Sequence, residues 1–137
     1  MLKLYYIRCF IKGLKMTKIA INGIGRIGKL VLKLLLQNKY DIKYLNEING
    51  DTKSLIHSLE FDSIHGKWDD CFELNNDFIK INNKEIKTTF FSNIEDLNLD
   101  DIDLILDCTG VHKSSSKLQK YFDKGVKKVI VSAPINE

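Results

Sequence analysis

The chain has 137 residues, which predicts one globular unit, and its 44% apolar content with a mean hydropathy of −0.16 indicates a packed core. Lys and Arg (21) exceed Asp and Glu (18) by three, but residues 1–15 hold four basic residues and no acid, so 17 basic and 18 acidic residues leave the rest at −1. This balance excludes a strongly basic nucleic-acid-binding surface, and no apolar run reaches the roughly 18 residues of a membrane span, so we expect a cytoplasmic protein with neither partner.

Residues 1–15 mix basic and apolar side chains, and the patterned part of the sequence begins at Met16. The segment contains no serine and no clean apolar core that ends in small residues, so it is a poor match to a targeting or export segment. We expect natural translation to start at Met16 and residues 1–15 to be a non-native extension or a disordered tail. The domain is then predicted to cover residues 16–137.

The first patterned elements predict a β-α-β unit with parallel strands. Lys18–Asn22 is an apolar run that ends in glycines, which is typical of a buried strand, and Ile42–Glu47 predicts the second strand. The residues between them have the apolar spacing of a helix that covers a sheet, with Asn38 as its expected end. The predicted apolar face consists of Ile27, Leu30, Val31, Leu34 and Leu35. Thr52 is expected to cap a second helix that runs to about Glu60.

Short alternating runs between residues 71 and 90 predict an antiparallel meander inserted into this α/β framework. The runs are separated by Asn75-Asn76 and Asn82-Asn83, and asparagine tolerates the left-handed backbone of tight turns. The three predicted strands are Cys71–Leu74, Phe78–Ile81 and Glu85–Phe90.

The last third of the sequence predicts a strand, a helix and a strand. Asp103–Cys108 and Lys128–Ser132 are the strands. Between them, serines 114–116 can cap a helix and Gly125 can end it. Its expected apolar face is Leu118, Tyr121 and Phe122. The predicted fold is therefore α/β: a Rossmann-like doubly wound, mostly parallel sheet with an antiparallel insertion, incomplete at its C-terminal edge.

A Gly-x-Gly-x-x-Gly motif, formed by Gly23, Gly25 and Gly28, follows the first strand and opens the first helix. Glycines at these positions permit a tight turn, a close approach of backbone to a pyrophosphate, and close packing of the helix on the strand. Glu47 follows Gly28 by 19 residues at the end of the second strand, where an acid can accept hydrogen bonds from ribose hydroxyls. The acid also repels a 2′-phosphate, so the pattern predicts NAD rather than NADP as the cofactor.

Two neighbouring positions leave alternatives open. Arg26 lies at the mouth of the predicted helix, where it can pair with a phosphate, pair with a carboxylate of another domain, or be solvated. Thr109-Gly110 follows a strand at the sheet edge where open α/β sheets receive ligands, although a purely structural turn is the alternative.

The three cysteines have no Cys-x-x-Cys spacing, which argues against a disulfide framework and a structural zinc site. Cys108 and His112 lie four residues apart and could form a nucleophilic pair. The intervening Thr109-Gly110 breaks any helix that would align them, so we favour a buried strand cysteine and a loop histidine. No metal site is predicted.

Five spaced segments together resemble the phosphorylating glyceraldehyde-3-phosphate dehydrogenase family, and they occur in the family's order. They are Ile21–Val31, Asn46-Glu47, Phe61–Gly66, Cys108–Val111 and Ser132–Pro134. The likeness extends from Met16 to Glu137, and it identifies the meander as the family's antiparallel insertion.

The resemblance implies an NAD-binding domain and a homotetramer for the full-length family. It implies that the pyrophosphate is held by the first strand's end and the glycine motif, the adenosine ribose by the acid, and the nicotinamide side by the later turn. The corresponding residues are Asn22, Gly23, Gly25, Arg26, Ile27, Gly28, Glu47, Thr109 and Gly110. Ser92 and Lys113 depart from the family, which usually has a basic and a small hydroxyl residue there, so those contacts do not carry over.

The resemblance also implies which chemistry this sequence leaves out. Family chains are more than twice as long, and none of Cys9, Cys71 and Cys108 lies in the family's Ser-Cys-Thr-Thr-Asn context. We therefore expect a partial domain, without the catalytic domain, that binds NAD weakly and is inactive alone. The complete enzyme would oxidise a phosphorylated aldose to an acyl phosphate. The alternatives are an erythrose-4-phosphate dehydrogenase, which Glu47 modestly favours, and a non-catalytic truncated or split-subunit fragment that docks onto a partner.

Overall fold

A computed structural model of the chain describes residues 17–60, 72–75, 77–81 and 83–136. The extension predicted over residues 1–15, Met16, the Phe61–Gly66 segment, Cys9 and Cys71 lie outside these residues. The strands are β1 (Lys18–Asn22), β2 (Asp41–Asn46), β3 (Phe72–Asn75), β4 (Phe78–Ile81), β5 (Lys84–Thr89), β6 (Leu104–Asp107) and β7 (Lys128–Val131). The helices are α1 (Arg26–Gln37), α2 (Thr52–Glu60) and α3 (Ser115–Asp123), with a short 3-10 turn at Ile94–Asp96.

The seven strands form one sheet in the order β3-β4-β5-β2-β1-β6-β7. β5, β2, β1, β6 and β7 run parallel to one another, whereas β4 runs antiparallel to β3 and to β5. The predicted mostly parallel sheet with an antiparallel insertion is confirmed. From β1 the chain passes to β2 on one side, and later returns to place β6 on the other side. The carboxyl ends of β1 and β6 therefore flank a topological switch point, where open α/β sheets bind ligands.

Both faces of the sheet are covered, as expected for a doubly wound fold. Because side chains alternate along a strand, Ile19 and Ile21 of β1 face one core and Ala20 faces the other. The first core packs against Leu32 of α1 and Leu59 of α2. The second core contains residues from the segment between β5 and β6, from α3 and from the loop after α3: Leu97, Leu99, Ile102, Leu118, Tyr121 and Val126.

The apolar face predicted for α1 was partly wrong. Ile27 and Leu34 are 52% and 49% exposed, and the buried residues of the helix are Gly28 and Leu32. Gly28 has no side chain, and a Cβ there would lie 1.9 Å from the carbonyl oxygen of Gly23, so the helix packs closely against the turn after β1 at this position. The predicted end at Asn38 is confirmed, since its side-chain Nδ2 donates to the carbonyl of Leu34 over 2.7 Å.

The cap predicted for α2 was also wrong by one residue. Asp51 Oδ1 accepts the backbone N–H of Ser54 at 2.8 Å, and Ser54 Oγ accepts the N–H of Asp51 at 2.8 Å. This is a reciprocal capping arrangement, so Thr52 lies inside the helix, where its hydroxyl contacts Thr88 Oγ1 at 3.2 Å.

The other ends agree with the sequence more closely. Ser114 caps α3 by accepting the N–H of Lys117, and Gly125 beyond the helix has φ +92°. Phe122, predicted on the apolar face, is 43% exposed, so that expectation was wrong. Asn83 has φ +68°, which confirms the left-handed turn between β4 and β5.

The pairing of β1 with β2 contains a bulge. Ile19 lies opposite Ile42, but Ala20 lies opposite Tyr44, so Lys43 is an extra residue on β2. Beyond the bulge, Asn22 is paired with Asn46.

None of the helices in the described ranges is long and apolar enough to cross a membrane.

Candidate functional site

The glycine motif forms the turn between β1 and α1. Gly23 has φ +95°, and a Cβ there would lie 2.7 Å from the backbone nitrogen of Thr109. A Cβ on Gly28 would lie 1.9 Å from the carbonyl oxygen of Gly23. Gly25 differs from both, because a Cβ there would meet nothing within 4 Å. Gly23 and Gly28 are thus required by packing, whereas Gly25 borders open space.

Gly25 is also the N-cap of α1, and the helix has no side-chain cap and no acidic residue in its first turn. The backbone N–H groups of a helix start and the positive end of the helix dipole favour an anion. Arg26 and Ile27 occupy the first positions of the helix, and both are exposed. The start of α1 can therefore receive a phosphate group from solvent.

Glu47 lies directly after β2 and reaches the glycine turn. Its Oε2 accepts the backbone N–H of Ile24 at 2.6 Å, and its Oε1 accepts that of Asn49 at 3.3 Å. The side chain is only partly buried, so a carboxylate oxygen can still accept further hydrogen bonds. The structure thus brings together the acid and the glycine turn that the sequence paired.

The turn after β6 is organised by Asp107, which is completely buried. Its Oδ1 accepts both the N–H (3.0 Å) and the hydroxyl (2.7 Å) of Thr109. Its Oδ2 accepts the hydroxyl of Tyr121 at 2.7 Å and lies 2.8 Å from Nδ1 of His112. Burial raises the pKa of Asp107, but the hydrogen bonds from these three side chains together lower it below the usual aspartate value.

Polar side chains form a continuous row across the carboxyl ends of four strands; this polar row consists of Thr89, Asn46, Asn22 and Asp107, which are neighbours in register. Thr89 Oγ1 donates to Asn46 Oδ1 at 2.7 Å, and Asn46 Nδ2 donates to Asn22 Oδ1 at 2.9 Å. Asn22 Nδ2 donates to the Tyr121 hydroxyl at 2.8 Å, which in turn donates to Asp107. Tyr121 therefore joins the two halves of the row.

A cavity of about 350 Å³ opens at this end of the sheet, between the glycine turn, the segment after β2 and the turn after β6. Its lining residues are Asn22, Gly23, Gly25, Glu47, Ile48, Asn49, Phe91, Ser92, Cys108, Thr109, Val111 and His112. A second open cavity shares Gly25 and Glu47 with the first and extends towards α2. Together they make a groove that passes over the glycine turn and is lined by both apolar and polar side chains, which can bury a ligand and fix its orientation.

Cys108 lies at the edge of this cavity, but its thiol is poorly suited to act as a nucleophile. Burial, and then the nearby charge of Asp107, raise its pKa to about 11, although a hydrogen bond with Ser132 acts in the opposite direction. The side chain of His112 bonds with Asp107 and Thr109. In the part of the chain that the structure describes, no three His, Cys, Asp or Glu side chains are grouped to hold a metal ion.

Several residues of the site were not anticipated from the sequence. Asp107 and Tyr121 were assigned to a strand and a helix face, and Asn46 was noted only as part of a motif. A signal was present: each of β1, β2 and β6 ends in an amide or carboxylate immediately before a predicted binding segment. Of the two positions that depart from the family, Ser92 lines the cavity, whereas Lys113 is exposed and its carbonyl accepts the N–H of Asn136 at 2.6 Å.

Residues 17–115 match a family model described as the NAD binding domain of glyceraldehyde 3-phosphate dehydrogenase. Glyceraldehyde-3-phosphate dehydrogenase 3 of Nostoc sp. is 33% identical to the chain over 124 residues, which are 88% of this chain and 37% of the relative. The glyceraldehyde-3-phosphate dehydrogenase of Thermotoga maritima is 34% identical, over 87% of this chain and 37% of the relative. Glyceraldehyde-3-phosphate dehydrogenase 2 of Staphylococcus epidermidis is 37% identical, over 86% and 35% respectively. The chain thus spans little more than a third of the length of these curated relatives.

Proposed function

The chain belongs to the glyceraldehyde-3-phosphate dehydrogenase family and contains its NAD-binding domain, and on this premise we propose that the cavity at the carboxyl ends of β1, β2 and β6 is where NAD binds. The observation that carries the proposal is the open space beside Gly25, at an uncapped helix start and within the reach of Glu47. A bare backbone, a positive helix end and a nearby acid are the groups that a dinucleotide requires. These residues therefore fit the cofactor.

The proposed division of roles follows the three segments around the cavity. The backbone of Gly25, Arg26, Ile27 and Gly28 holds the pyrophosphate, because their amides lie at the start of α1. Glu47 accepts hydrogen bonds from the adenosine ribose and repels a 2′-phosphate, so that NAD is preferred to NADP. Thr109 and Gly110 hold the nicotinamide side.

We extend the proposal to the reaction of the complete enzyme, which is the oxidation of a phosphorylated aldose to an acyl phosphate. NAD, when bound, supplies the ring that accepts a hydride. The described part of this chain contributes binding and orientation of the cofactor. Cys108 does not contribute a nucleophile, because a thiol with a pKa of about 11 is almost entirely protonated at neutral pH. The 137-residue chain alone is therefore expected to bind NAD without producing NADH.

The direct test is isothermal titration calorimetry of the purified 137-residue chain with NAD and with NADP. We expect saturable binding of NAD, and we expect NADP to bind at least roughly tenfold more weakly than NAD. Glu47→Gln should reduce this preference by lowering repulsion of the 2′-phosphate, because it removes the charge and keeps the shape. Glu73→Gln is the matched control, since Glu73 is exposed in β3 at the far edge of the sheet.

Two binding results would contradict the proposal. Absence of NAD binding by a folded chain would remove the cofactor role altogether. An unchanged ratio of the NAD and NADP affinities in Glu47→Gln would remove the assigned role of the acid.

A parallel assay tests the chain for activity. The chain is mixed with NAD, glyceraldehyde 3-phosphate and phosphate, and a steady increase in NADH absorbance would show that the chain is active by itself.

A further inference from the structure

We propose that Asp107 is a positioning residue for the dinucleotide. Its hydrogen bonds hold the turn after β6 at a set distance from the glycine turn after β1. The inference rests on the proposed binding of NAD in this cavity. Asp107 is not itself among the residues that line the cavity. It acts through the residues that do.

The first step of the argument is the number of bonds that one buried carboxylate makes to one segment. The N–H and hydroxyl of Thr109 and the ring of His112 all bond with Asp107. Thr109 and His112 line the cavity, and Gly110, which follows Thr109, has φ +72° with no neighbour within 4 Å of a Cβ position. The turn thus has little packing of its own at Gly110, and Asp107 supplies bonds that define its conformation.

The second step is the link to the other cavity walls. Asp107 is joined through the Tyr121 hydroxyl to Asn22, which immediately precedes the glycine turn. Asn22 is joined in turn to Asn46, which immediately precedes Glu47. Each of the three segments proposed to touch NAD therefore follows a member of the polar row. Both polar atoms of the Asn22 side chain take part in these bonds, so Asn22 joins the walls of the cavity as well as lining it.

The third step concerns what such a row does for affinity. A ligand that spans two walls of a cavity binds more tightly when the distance between the walls is already correct, because no ordering is needed on binding. Loss of Asp107 bonding should therefore weaken a ligand that touches both the glycine turn and the turn after β6. The same loss should weaken much less the binding of a ligand that touches only the side of the cavity near Glu47.

The test compares NAD with AMP, measured by titration calorimetry on the 137-residue chain and its variants. Asp107→Asn keeps the size of the side chain, but its amide nitrogen replaces one of the two carboxylate oxygens and cannot accept the hydrogen bonds of that oxygen, which come from Thr109 at Oδ1 and from Tyr121 and His112 at Oδ2. We expect the Kd for NAD to rise roughly tenfold or more and the Kd for AMP to change by less than about threefold. Asp103→Asn is the control, because Asp103 lies at the opposite end of β6, where it accepts the N–H of Lys18 at 3.1 Å and faces Lys127.

A second variant keeps the proposal testable if Asp107→Asn does not fold. Tyr121→Phe removes one hydroxyl, breaks the link between Asn22 and Asp107, and should also weaken NAD more than AMP. Tyr40→Phe is its control, since Tyr40 is equally buried but precedes β2 at the other end of the sheet. Thermal melts establish that each variant is folded at the assay temperature.

The possible results separate this inference from the proposed function. If the unmodified chain does not bind NAD, the proposed function fails and this inference fails with it. If the unmodified chain binds NAD and the folded variants bind it equally well, only the positioning role is overturned. Equal losses for NAD and AMP would also overturn it, because a general structural defect weakens both ligands alike.

Discussion

The backbone N–H of Ile24 donates a hydrogen bond to the carboxylate of Glu47 over 2.6 Å. This contact joins the turn after β1 to the end of β2, so the acid that is proposed to recognise the ribose also supports the turn that is proposed to receive the pyrophosphate. A charged acceptor makes a stronger bond with a backbone N–H than a neutral one does. The two halves of the proposed cofactor site are therefore mechanically coupled before any ligand arrives.

Replacement of Gly25 by valine should weaken NAD binding without unfolding the protein. The backbone of Gly25 has φ −85°, which any residue can adopt, and a Cβ there meets nothing within 4 Å. The added side chain would occupy space that the cofactor needs, so we expect a loss of at least about tenfold in affinity, or about 1.4 kcal/mol. Titration calorimetry and a thermal melt of the same sample provide the two measurements. Unchanged affinity would show that the pyrophosphate does not approach this backbone.

Replacement of Gly28 by alanine should cause a large loss of stability, unlike the replacement of Gly25 by valine. Its Cβ would lie 1.9 Å from the carbonyl oxygen of Gly23, so α1 would have to move away from β1. We expect the free energy of unfolding to fall by about 2 kcal/mol or more, as for other substitutions that force backbone apart in a core. Urea denaturation measures the change. Ser58→Ala in α2 is a mild comparison, and a Gly28→Ala protein as stable as the parent would contradict the close packing.

Cys108 should be chemically inert at neutral pH. Burial raises its pKa to about 11, and only the thiolate reacts quickly with an alkylating reagent. We expect the rate of iodoacetamide labelling at Cys108 to be very low at pH 7.5 and to increase steadily towards pH 10. Peptide mass spectrometry follows this cysteine separately from the other two. Rapid labelling at pH 7.5 in the folded protein would show that the thiol is activated after all.

The carboxylate of Asp107 should contribute stability that is lost in acid. Its pKa is lowered on folding, so the ionised form favours the folded state above the unfolded aspartate value of about 3.9, and that contribution disappears as the pH falls through the lower folded value. The difference in unfolding free energy between the parent chain and Asp107→Asn should thus be largest near neutral pH, at about 2 kcal/mol, and smaller at pH 3.

Urea denaturation at several pH values measures this difference. The comparison with Asp107→Asn is needed because the pKa values of Asp41 and Asp103 are also lowered, so the parent chain loses stability in acid for several reasons. A difference that grows as the pH falls would mean that the folded protein favours the protonated form of Asp107.

Much of the fold could be predicted because its signals are local. The apolar run of β1 ends where the structure ends it, at Asn22, and Asn38 and Ser114 lie at helix ends because their side chains bond with nearby backbone. The inward face of α1 could not be read in this way. Apolar spacing suggested Ile27 and Leu34, but the helix turns Gly28 towards the sheet, and that choice depends on contact with a strand rather than on periodicity.

The site shows the same division between local and distant information. The glycine motif and Glu47 were recognisable because the turn and the acid follow strands at a set spacing, and the structure brings them within hydrogen-bonding distance. The bond from Asn22 to Tyr121 joins residues 99 positions apart, and no spacing in the sequence predicts it. Asp107 could be identified as an anchor only after the strand register was known.

The extra residue in β2 sets the register between β1 and β2. Without the bulge at Lys43, Leu45 rather than Asn46 would stand opposite Asn22, and an amide would be buried against an aliphatic side chain. Such a shift in register leaves a buried polar group without a hydrogen-bond partner, which costs about 1 to 3 kcal/mol of folding free energy. The irregular pairing at Lys43 therefore sets the register that places Asn46 beside Asn22, and with it Glu47 beside the glycine turn.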